Sequence, residues 1–322
     1  LADATRHLIH EDPDGAVRWA EADRRGRRRC SMVSAPLEVA GLLNQVLFEQ
    51  MDTAVLTSAT LTVGGSFDFL CARVGVDRQP DERVQTLLVD SPFDYAGQVR
   101  LGLPDDLPPP DLPQFEQALP EAVFQVVAAT SGHALVLFTS WSLMTRVHHL
   151  IGERLEELGI EVLCQGEEPR DRLLNRFRDD PSSVLFGTDS FWQGVDVIGP
   201  ALRSVIVTRL PFDVPDEPLV QARREALERE GHSAFSTFIL PRAVLKLKQG
   251  FGRLVRARSD WGAVVVMDTR LAGRSYGKRF LASLPPATRL AGGLEDICDR
   301  IADFFAAHGE AATERVVAGD WM

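Results

Sequence analysis

The stretch Gln249-Gly250-Phe251-Gly252-Arg253-Leu254-Val255-Arg256 sets two arginines and a glutamine between a basic, apolar segment and a strand-like run at 263–267. The pattern predicts a helix near the end of a sheet, one turn of which would put both guanidinium groups on one face. A guanidinium is a planar, permanently charged fork that suits phosphate oxygens. In nucleotide hydrolysis a glutamine can orient the attacking water, and an arginine can neutralise charge on the phosphate. For this string alone, two solvated arginines beside a glycine kink are the alternative.

The totals are those of an ordinary globular protein. The 322 residues allow two domains, and the net charge of −11 argues against a uniformly basic nucleic-acid coat, although a local basic groove stays possible. The four cysteines lie more than 40 residues apart, which matches no metal or iron–sulfur spacing, so we expect free thiols and no metal site. No apolar run is long enough to span a membrane and no signal peptide is recognisable, so we expect a cytoplasmic protein without membrane contact. Because the chain begins at Leu1 without methionine, we interpret it as a fragment.

The first third of the chain predicts a hairpin over 16–34, a helix over 36–50 and a short strand over 53–56. The hairpin turn holds five arginines in the stretch 24–29, which are either solvated or in contact with nucleic acid. Between Leu101 and Pro113 stand five prolines, a density that helices and central strands do not tolerate. That density predicts a linker there.

From Phe115 onward, strands alternate with helices. We predict strands over 135–138, 162–164, 184–186, 204–208 and 263–267, and helices over 143–158, 170–178, 216–230 and 294–305. This alternation indicates an α/β fold with a mainly parallel sheet and helices on both faces. In such sheets, ligands contact the loops at the carboxyl ends of the strands, where this chain has Thr57-Ser58-Ala59-Thr60, Thr139-Ser140 and Gly187-Thr188. The string Ser275-Tyr276-Gly277-Lys278-Arg279 is no P-loop, because arginine stands where serine or threonine is needed.

Four separated strings in one order resemble helicase motifs III to VI of superfamily 2. They are Leu56-Thr57-Ser58-Ala59-Thr60-Leu61, Leu137-Phe138-Thr139-Ser140, Phe186-Gly187-Thr188 through Gly194-Val195-Asp196, and Gln249-x-x-Gly252-Arg253-x-x-Arg256. Together with Ser91-Pro92-Phe93 and Arg209-Leu210-Pro211-Phe212, they resemble the DinG branch of the XPD-like DNA helicases over about residues 16–290. The resemblance implies that 114–322 form a second RecA-like motor domain, and that 1–113 are the end of the first motor domain and a proline-rich linker.

The resemblance also implies roles for matching positions. Arg253 and Arg256 would be arginine fingers, and Gln249 would contact the γ-phosphate or water. The residues expected at the nucleotide are Gly187, Gly194, Asp196 and Gly252, and those expected to hold single-stranded DNA are Thr139, Ser140, Thr188 and Arg209. Ser58 and Thr60 would couple hydrolysis to domain movement. For each hydroxyl the alternative is a helix cap or loop hydrogen bond, and for Asp196 it is a turn or cap residue. Gln193 stands where many relatives have glutamate, which leaves a carboxylate role there in doubt.

By this resemblance the chain is the C-terminal motor half of an ATP-dependent 5′-to-3′ DNA helicase, with single-stranded DNA, ATP with Mg²⁺, and a missing first motor domain as partners. The sequence contains no P-loop, no Asp-Glu-x-His box and no four-cysteine cluster, which in the family belong to the first motor domain. An iron–sulfur cluster is therefore expected only in that missing part, and the chain alone should lack ATPase activity. Two alternatives stay open: a non-catalytic helicase-like module that binds nucleic acid or a protein, and the helicase half of a nuclease–helicase fusion.

Overall fold

A computed structural model describes residues 15–22, 30–192 and 199–319, with side chains up to residue 309. The chain divides into two compact units. Unit 1 comprises Leu1–Val89 and Phe212–Leu245, and unit 2 comprises Asp90–Pro211 and Lys246–Met322.

Unit 1 contains an antiparallel hairpin of β1 (Ala16–Ala22) and β2 (Cys30–Pro36), which confirms the predicted hairpin. The arginine turn at 24–29 lies outside the described residues. The helical segments of unit 1 are Ala40–Leu43, a π-helical turn Asn44–Phe48, Asp68–Val74, short 3-10 turns at Val76–Arg78 and Asp81–Arg83, Pro218–Arg229, and a π-helical turn Phe235–Ile239. The helix predicted over 36–50 is thus shorter. The prediction of a strand over 53–56 is wrong, because this stretch has no regular secondary structure and pairs with no strand of the described chain.

Unit 2 is built on a seven-stranded parallel sheet in the order β5-β6-β4-β7-β8-β3-β9. Its strands are β3 (Val99–Pro104), β4 (Ala134–Leu137), β5 (Val162–Cys164), β6 (Val184–Gly187), β7 (Ser204–Val207), β8 (Gly262–Val266) and β9 (Thr288–Gly292). Its helices are Tyr95–Gln98, Pro113–Ala129, Trp141–Glu157, Arg170–Asp179, Asp189–Trp192, Arg270–Gly273, Gly277–Ser283 and Leu294–Gly319; a further helix, Leu240–Phe251, begins in unit 1 and ends in unit 2. All five strands predicted after residue 115 are present.

Both faces of this sheet are covered, because every residue of β4 is fully buried. Val136 packs in one core cluster with apolar residues of the helices Pro113–Ala129, Trp141–Glu157 and Leu294–Gly319. Its neighbour Leu137 points to the opposite face, since alternate side chains of a strand face opposite ways. The observed α/β architecture confirms the predicted RecA-like sheet. Among the described residues, no helix combines the length and apolar character that crossing a bilayer requires.

The predicted proline-rich linker is wrong at its start. Val99–Pro104 is an inner strand between β8 and β9, so the predicted linker begins inside the sheet. The strand tolerates Pro104 because this residue is its last, and Pro113 opens a helix, where a missing N–H costs nothing. The division into compact units accordingly falls after Val89 rather than after residue 113. Unit 1 also includes Phe212–Leu245, which the prediction assigned to the second motor domain. That 1–113 and 114–322 belong to two motor domains stays a prediction.

Candidate nucleotide and nucleic-acid site

The parallel sheet of unit 2 brings several predicted site residues to one edge. β4 pairs with β6 on one side and with β7 on the other, and all three run in the same direction. Thr139 and Ser140 follow β4, Thr188 follows β6 and Arg209 follows β7. These four side chains therefore stand in the loops at the carboxyl ends of three neighbouring strands, where open α/β sheets bind ligands.

The two candidate arginine fingers do not lie on a helix. The helix Leu240–Phe251 ends before them, and a turn follows in which the Arg253 N–H donates to the carbonyl of Gly250 at 3.2 Å. The carboxylate of Asp260, itself nearly buried, then accepts from the backbone N–H groups of Arg256 (2.9 Å) and Ala257 (2.8 Å). The prediction of both guanidinium groups on one helical face is wrong, because Asp260 offers these N–H groups a partner outside the helix.

Trp192 fixes Arg253 at the carboxyl edge of the sheet. The guanidinium of Arg253 donates from Nη2 to the carbonyl of Trp192 at 3.0 Å, and the indole N–H of Trp192 donates to the carbonyl of Phe138, just beyond β4, at 3.2 Å. Trp192 is fully buried, and a Cβ on Gly250 would lie only 3.1 Å from its ring. The glycine thus allows the end of the helix to approach the tryptophan, which in turn positions Arg253 beside the loop after β4.

The electrostatic setting of Arg253 favours a bound anion. Partial burial, and then the nearby positive charge of Arg170, hold the pKa of the Arg253 guanidinium below its ordinary value. Arg170 is itself anchored by a hydrogen bond to the carbonyl of Ser190 at 3.3 Å. A guanidinium held in this way presents a planar, charged fork that suits phosphate oxygens.

The side chain of Gln249 provides an independent test of whether a nucleotide fits. Its Oε1 atom is buried and accepts no hydrogen bond from the residues that the structure describes. A buried acceptor of this kind is costly unless a donor arrives. A water molecule beside a phosphate would supply one. Gln249 and Arg253 therefore fit the phosphate end of ATP.

Gln165 is a site residue that the sequence analysis missed. It directly follows β5, and its Oε1 accepts from both the backbone N–H (2.7 Å) and the hydroxyl (2.9 Å) of Thr188. Its Nε2 donates to the hydroxyl of Ser190 at 3.1 Å. The rule that singled out Thr139 and Thr188, polar groups just beyond the carboxyl end of a strand, would have found it.

Three of the four predicted DNA contacts already have partners within the protein. One is Thr188, whose hydroxyl donates to Gln165. Ser140 is the N-cap of the helix Trp141–Glu157 and accepts from the N–H of Leu143 at 3.4 Å, which is the capping role weighed as its alternative. Arg209 donates to Glu116 at 3.1 Å and lies over the ring of Phe115. A DNA phosphate at Arg209 would have to compete with this carboxylate.

Of the four residues predicted at the nucleotide, the structure describes Gly187 and Gly252. Gly194 and Asp196 lie outside the described residues. Gly187 is buried, and a Cβ there would lie 2.6 Å from Cγ of Phe191, so packing alone already requires glycine. Gly252 is exposed in the turn that leads to Arg253.

The predicted coupling residues lie in unit 1. The hydroxyls of Ser58 and Thr60 are 3.4 Å apart, and the N–H of Thr60 donates to Ser58 Oγ at 3.2 Å. They form a small local turn in an exposed stretch of the chain.

Residues 123–287, about half of the chain, match the family of the helicase C-terminal domain. The chain belongs to this family.

Three curated relatives show the similarity to helicases. This chain is 38% identical over 275 residues to the ATP-dependent DNA helicase YoaA of Haemophilus influenzae, and the match covers 85% of this chain and 41% of that protein. It is 41% identical over 273 residues to the ATP-dependent helicase DinG of Mycobacterium tuberculosis, covering 84% and 40%, and 36% identical over 280 residues to the 3′-5′ exonuclease DinG of Bacillus subtilis, covering 85% and 30%. The chain thus spans less than half the length of these relatives.

A solved XPD helicase structure superposes with a TM-score of 0.56 at 16% sequence identity, covering 81% of this chain and 46% of that one. At this identity the likeness speaks for the fold alone. It agrees with a helicase C-terminal domain built on a RecA-like parallel sheet.

Proposed function

We propose that this chain is the C-terminal motor half of an ATP-dependent DNA helicase that moves 5′ to 3′ on single-stranded DNA. The observation that carries the proposal is the position of Arg253. Its half-buried guanidinium is held on the carbonyl of Trp192, at the sheet edge that also presents Thr139 and Thr188. A fixed positive charge of this kind suits the terminal phosphate of a nucleotide, and neighbouring hydroxyls suit a phosphate backbone.

In this proposal each residue has a limited task. Arg253, with Arg256 as a second finger, stabilises charge on the transferring phosphoryl group, and Gln249 orients water or a γ-oxygen. Bound ATP with Mg²⁺ supplies the phosphoanhydride bond whose hydrolysis drives movement. Thr139, Ser140 and Thr188 hold phosphates of the DNA strand through hydroxyl and backbone donors. Gly194 and Asp196 belong to the nucleotide side and Ser58 and Thr60 to the coupling between domains, by resemblance to the family.

The proposal requires a first motor domain, and unit 1 has a surface suited to one. Residues 53–57 and 84–89 have no regular secondary structure and pair with no strand of the described chain. Val55, Leu87 and Val89 are exposed by 83%, 81% and 73%, beside a pocket of about 790 Å³ that these stretches line. We call these two stretches the open apolar face. Soluble proteins rarely leave such a face uncovered. Strands and helices of a first motor domain, in a protein of the relatives' length, would cover it.

A strand-displacement assay tests the function. Full-length protein with ATP should unwind a duplex that carries a 5′ single-stranded tail and leave one with a 3′ tail intact, whereas the 322-residue chain alone should hydrolyse no ATP. DNA binding without displacement or ATP turnover by the full-length protein would favour the rival, a non-catalytic nucleic-acid-binding module. The relative named a 3′-5′ exonuclease motivates one more arm, in which an end-labelled strand is checked for shortening.

A further inference from the structure

A second cluster of reactive side chains lies in unit 2, and none of its residues is among the proposed nucleotide or DNA contacts. It consists of His148, Cys164 and Glu167, which we call the His–Cys–Glu cluster. One ligand-type atom of each residue lies within 4.8 Å of the other two, and Nδ1 of His148 is 3.6 Å from a carboxylate oxygen of Glu167. The spacing of the four cysteines does not indicate this cluster, because its other two members are a histidine and a glutamate.

A tight turn brings two of the three residues together. Cys164 is the last residue of β5, and the N–H of Glu167 donates back to the carbonyl of Cys164 at 3.3 Å. Gly166, the third residue of the turn, has φ +101°, and a Cβ there would strike the ring of Trp141 at 2.6 Å. Such a turn places its first and fourth residues side by side. The resulting Cys-x-x-Glu spacing matches that of the paired ligands in Cys-x-x-Cys zinc sites.

The third residue comes from a different element and is held in place by packing. His148 lies on the helix Trp141–Glu157, with its imidazole edge-on to Phe186 at 6.2 Å between ring centres. Gly152, one turn further along the helix, leaves space beside the ring: a Cβ there would lie 3.6 Å from His148. The His148 side chain is only 21% exposed, whereas the neighbouring His149 is exposed. The cluster thus draws one ligand from this helix and two from the turn after β5.

A thiolate, an imidazole and a carboxylate together are a donor set typical of zinc and chemically similar ions. Bond lengths of about 2.0–2.3 Å imply ligand-to-ligand distances of roughly 3.3–3.8 Å in a tetrahedral site. The pair His148–Glu167 already meets this distance, and the other two pairs of ligand atoms lie within 4.8 Å, so side-chain shifts of up to about 1 Å would complete the site. We propose that the His–Cys–Glu cluster binds a zinc-class divalent cation, with water as the fourth ligand.

Binding forms a metal–sulfur bond and releases the thiol proton of Cys164 to solvent, with no change of oxidation state. The metal would join the helix Trp141–Glu157 to the turn after β5. Gln165, inside that turn, is the residue that accepts both hydrogen bonds from Thr188. An ion at the cluster thus stiffens the support of a predicted DNA-contacting loop.

Cobalt(II) is a suitable probe, because a thiolate ligand gives it a charge-transfer absorption that oxygen and nitrogen ligands do not. Metal-free 322-residue chain titrated with Co²⁺ should develop this band, and Zn²⁺ should remove it, since zinc binds such sites more tightly. Cys164→Ser should abolish the band. Cys298→Ser, which changes another buried thiol, and His149→Gln, which changes the adjacent histidine, should leave it unchanged.

A variant at the surface covers the case in which Cys164→Ser does not fold. The Glu167 side chain is 52% exposed, so Glu167→Gln should fold normally. Groups that merely support a metal ligand change affinity by about 10- to 100-fold, so loss of this ligand should weaken Co²⁺ binding at least tenfold. Absence of the band in the parent chain, its persistence in Cys164→Ser, or unchanged affinity in Glu167→Gln would each overturn the proposal.

Discussion

Replacing Gln165 by alanine should loosen the loop after β6 without disturbing the rest of the sheet. In the parent chain Gln165 Oε1 accepts from the N–H of Thr188 at 2.7 Å and from its hydroxyl at 2.9 Å. The hydroxyl can rotate towards water, but the N–H is partly buried and would lose its partner. An amide left unpaired in this way costs about 1–3 kcal/mol.

Hydrogen exchange of the Thr188 amide measures this loss directly. A cost of about 1–3 kcal/mol corresponds to exchange roughly 5- to 150-fold faster in Gln165→Ala. Amides of β4 and β7 should keep their protection, because their pairing does not involve Gln165.

Gln165→Glu is the matched control. Its carboxylate keeps both acceptor interactions with Thr188 and loses only the donation to the exposed Ser190, so protection should stay close to that of the parent chain. If the Thr188 amide in Gln165→Ala exchanged no faster than in the parent chain, the bridge between β5 and β6 described above would be wrong.

Two further substitutions test packing and the open apolar face. In denaturant titration, Gly187→Ala should lower the free energy of unfolding by at least about 1–3 kcal/mol, because the added methyl group overlaps Phe191. Gly273→Ala is the control: no atom lies near its added methyl group, so it should be neutral or stabilising by up to about 1 kcal/mol. Leu87→Glu should change the stability of this chain by less than about 0.5 kcal/mol, yet destabilise the full-length protein by roughly 1.5–3 kcal/mol if a first motor domain buries it. Equal effects of Leu87→Glu in both proteins would contradict that docking.

The core strands of unit 2 were predictable from sequence because each is a short, continuous apolar run. Val162–Cys164 was predicted with its observed bounds, because all three residues of this strand are buried and the apolar run therefore begins and ends with the strand. β3 was missed because prolines just beyond it dominated the local composition, while the strand itself holds only Pro104, at its end. The pairing of β3 between β8 and β9 is a long-range fact that no local pattern carries.

Site residues that directly follow a strand could be predicted from the sequence. Site residues whose positions depend on long-range contacts could not. Thr139 and Thr188 reach the same sheet edge because their strands are parallel neighbours. The helix Leu240–Phe251 ends before the two arginines, and the carboxylate of Asp260 accepts from the backbone N–H of Arg256 only once the chain has folded back. Gln165 and Arg170 follow the short strand β5. Their place in the site is set by hydrogen bonds to Thr188 and Ser190, which are distant in sequence.

Arginine 253 offers the most direct test of the account. In the full-length protein, single-turnover release of phosphate from ATP, with single-stranded DNA present, should fall by about 10³- to 10⁵-fold in Arg253→Ala, an increase in barrier of roughly 4–7 kcal/mol. ATP affinity should be nearly unchanged, because an arginine finger acts on the charge that develops in the transition state. Phosphate release at the parent rate in Arg253→Ala would contradict the assignment of this guanidinium to the nucleotide.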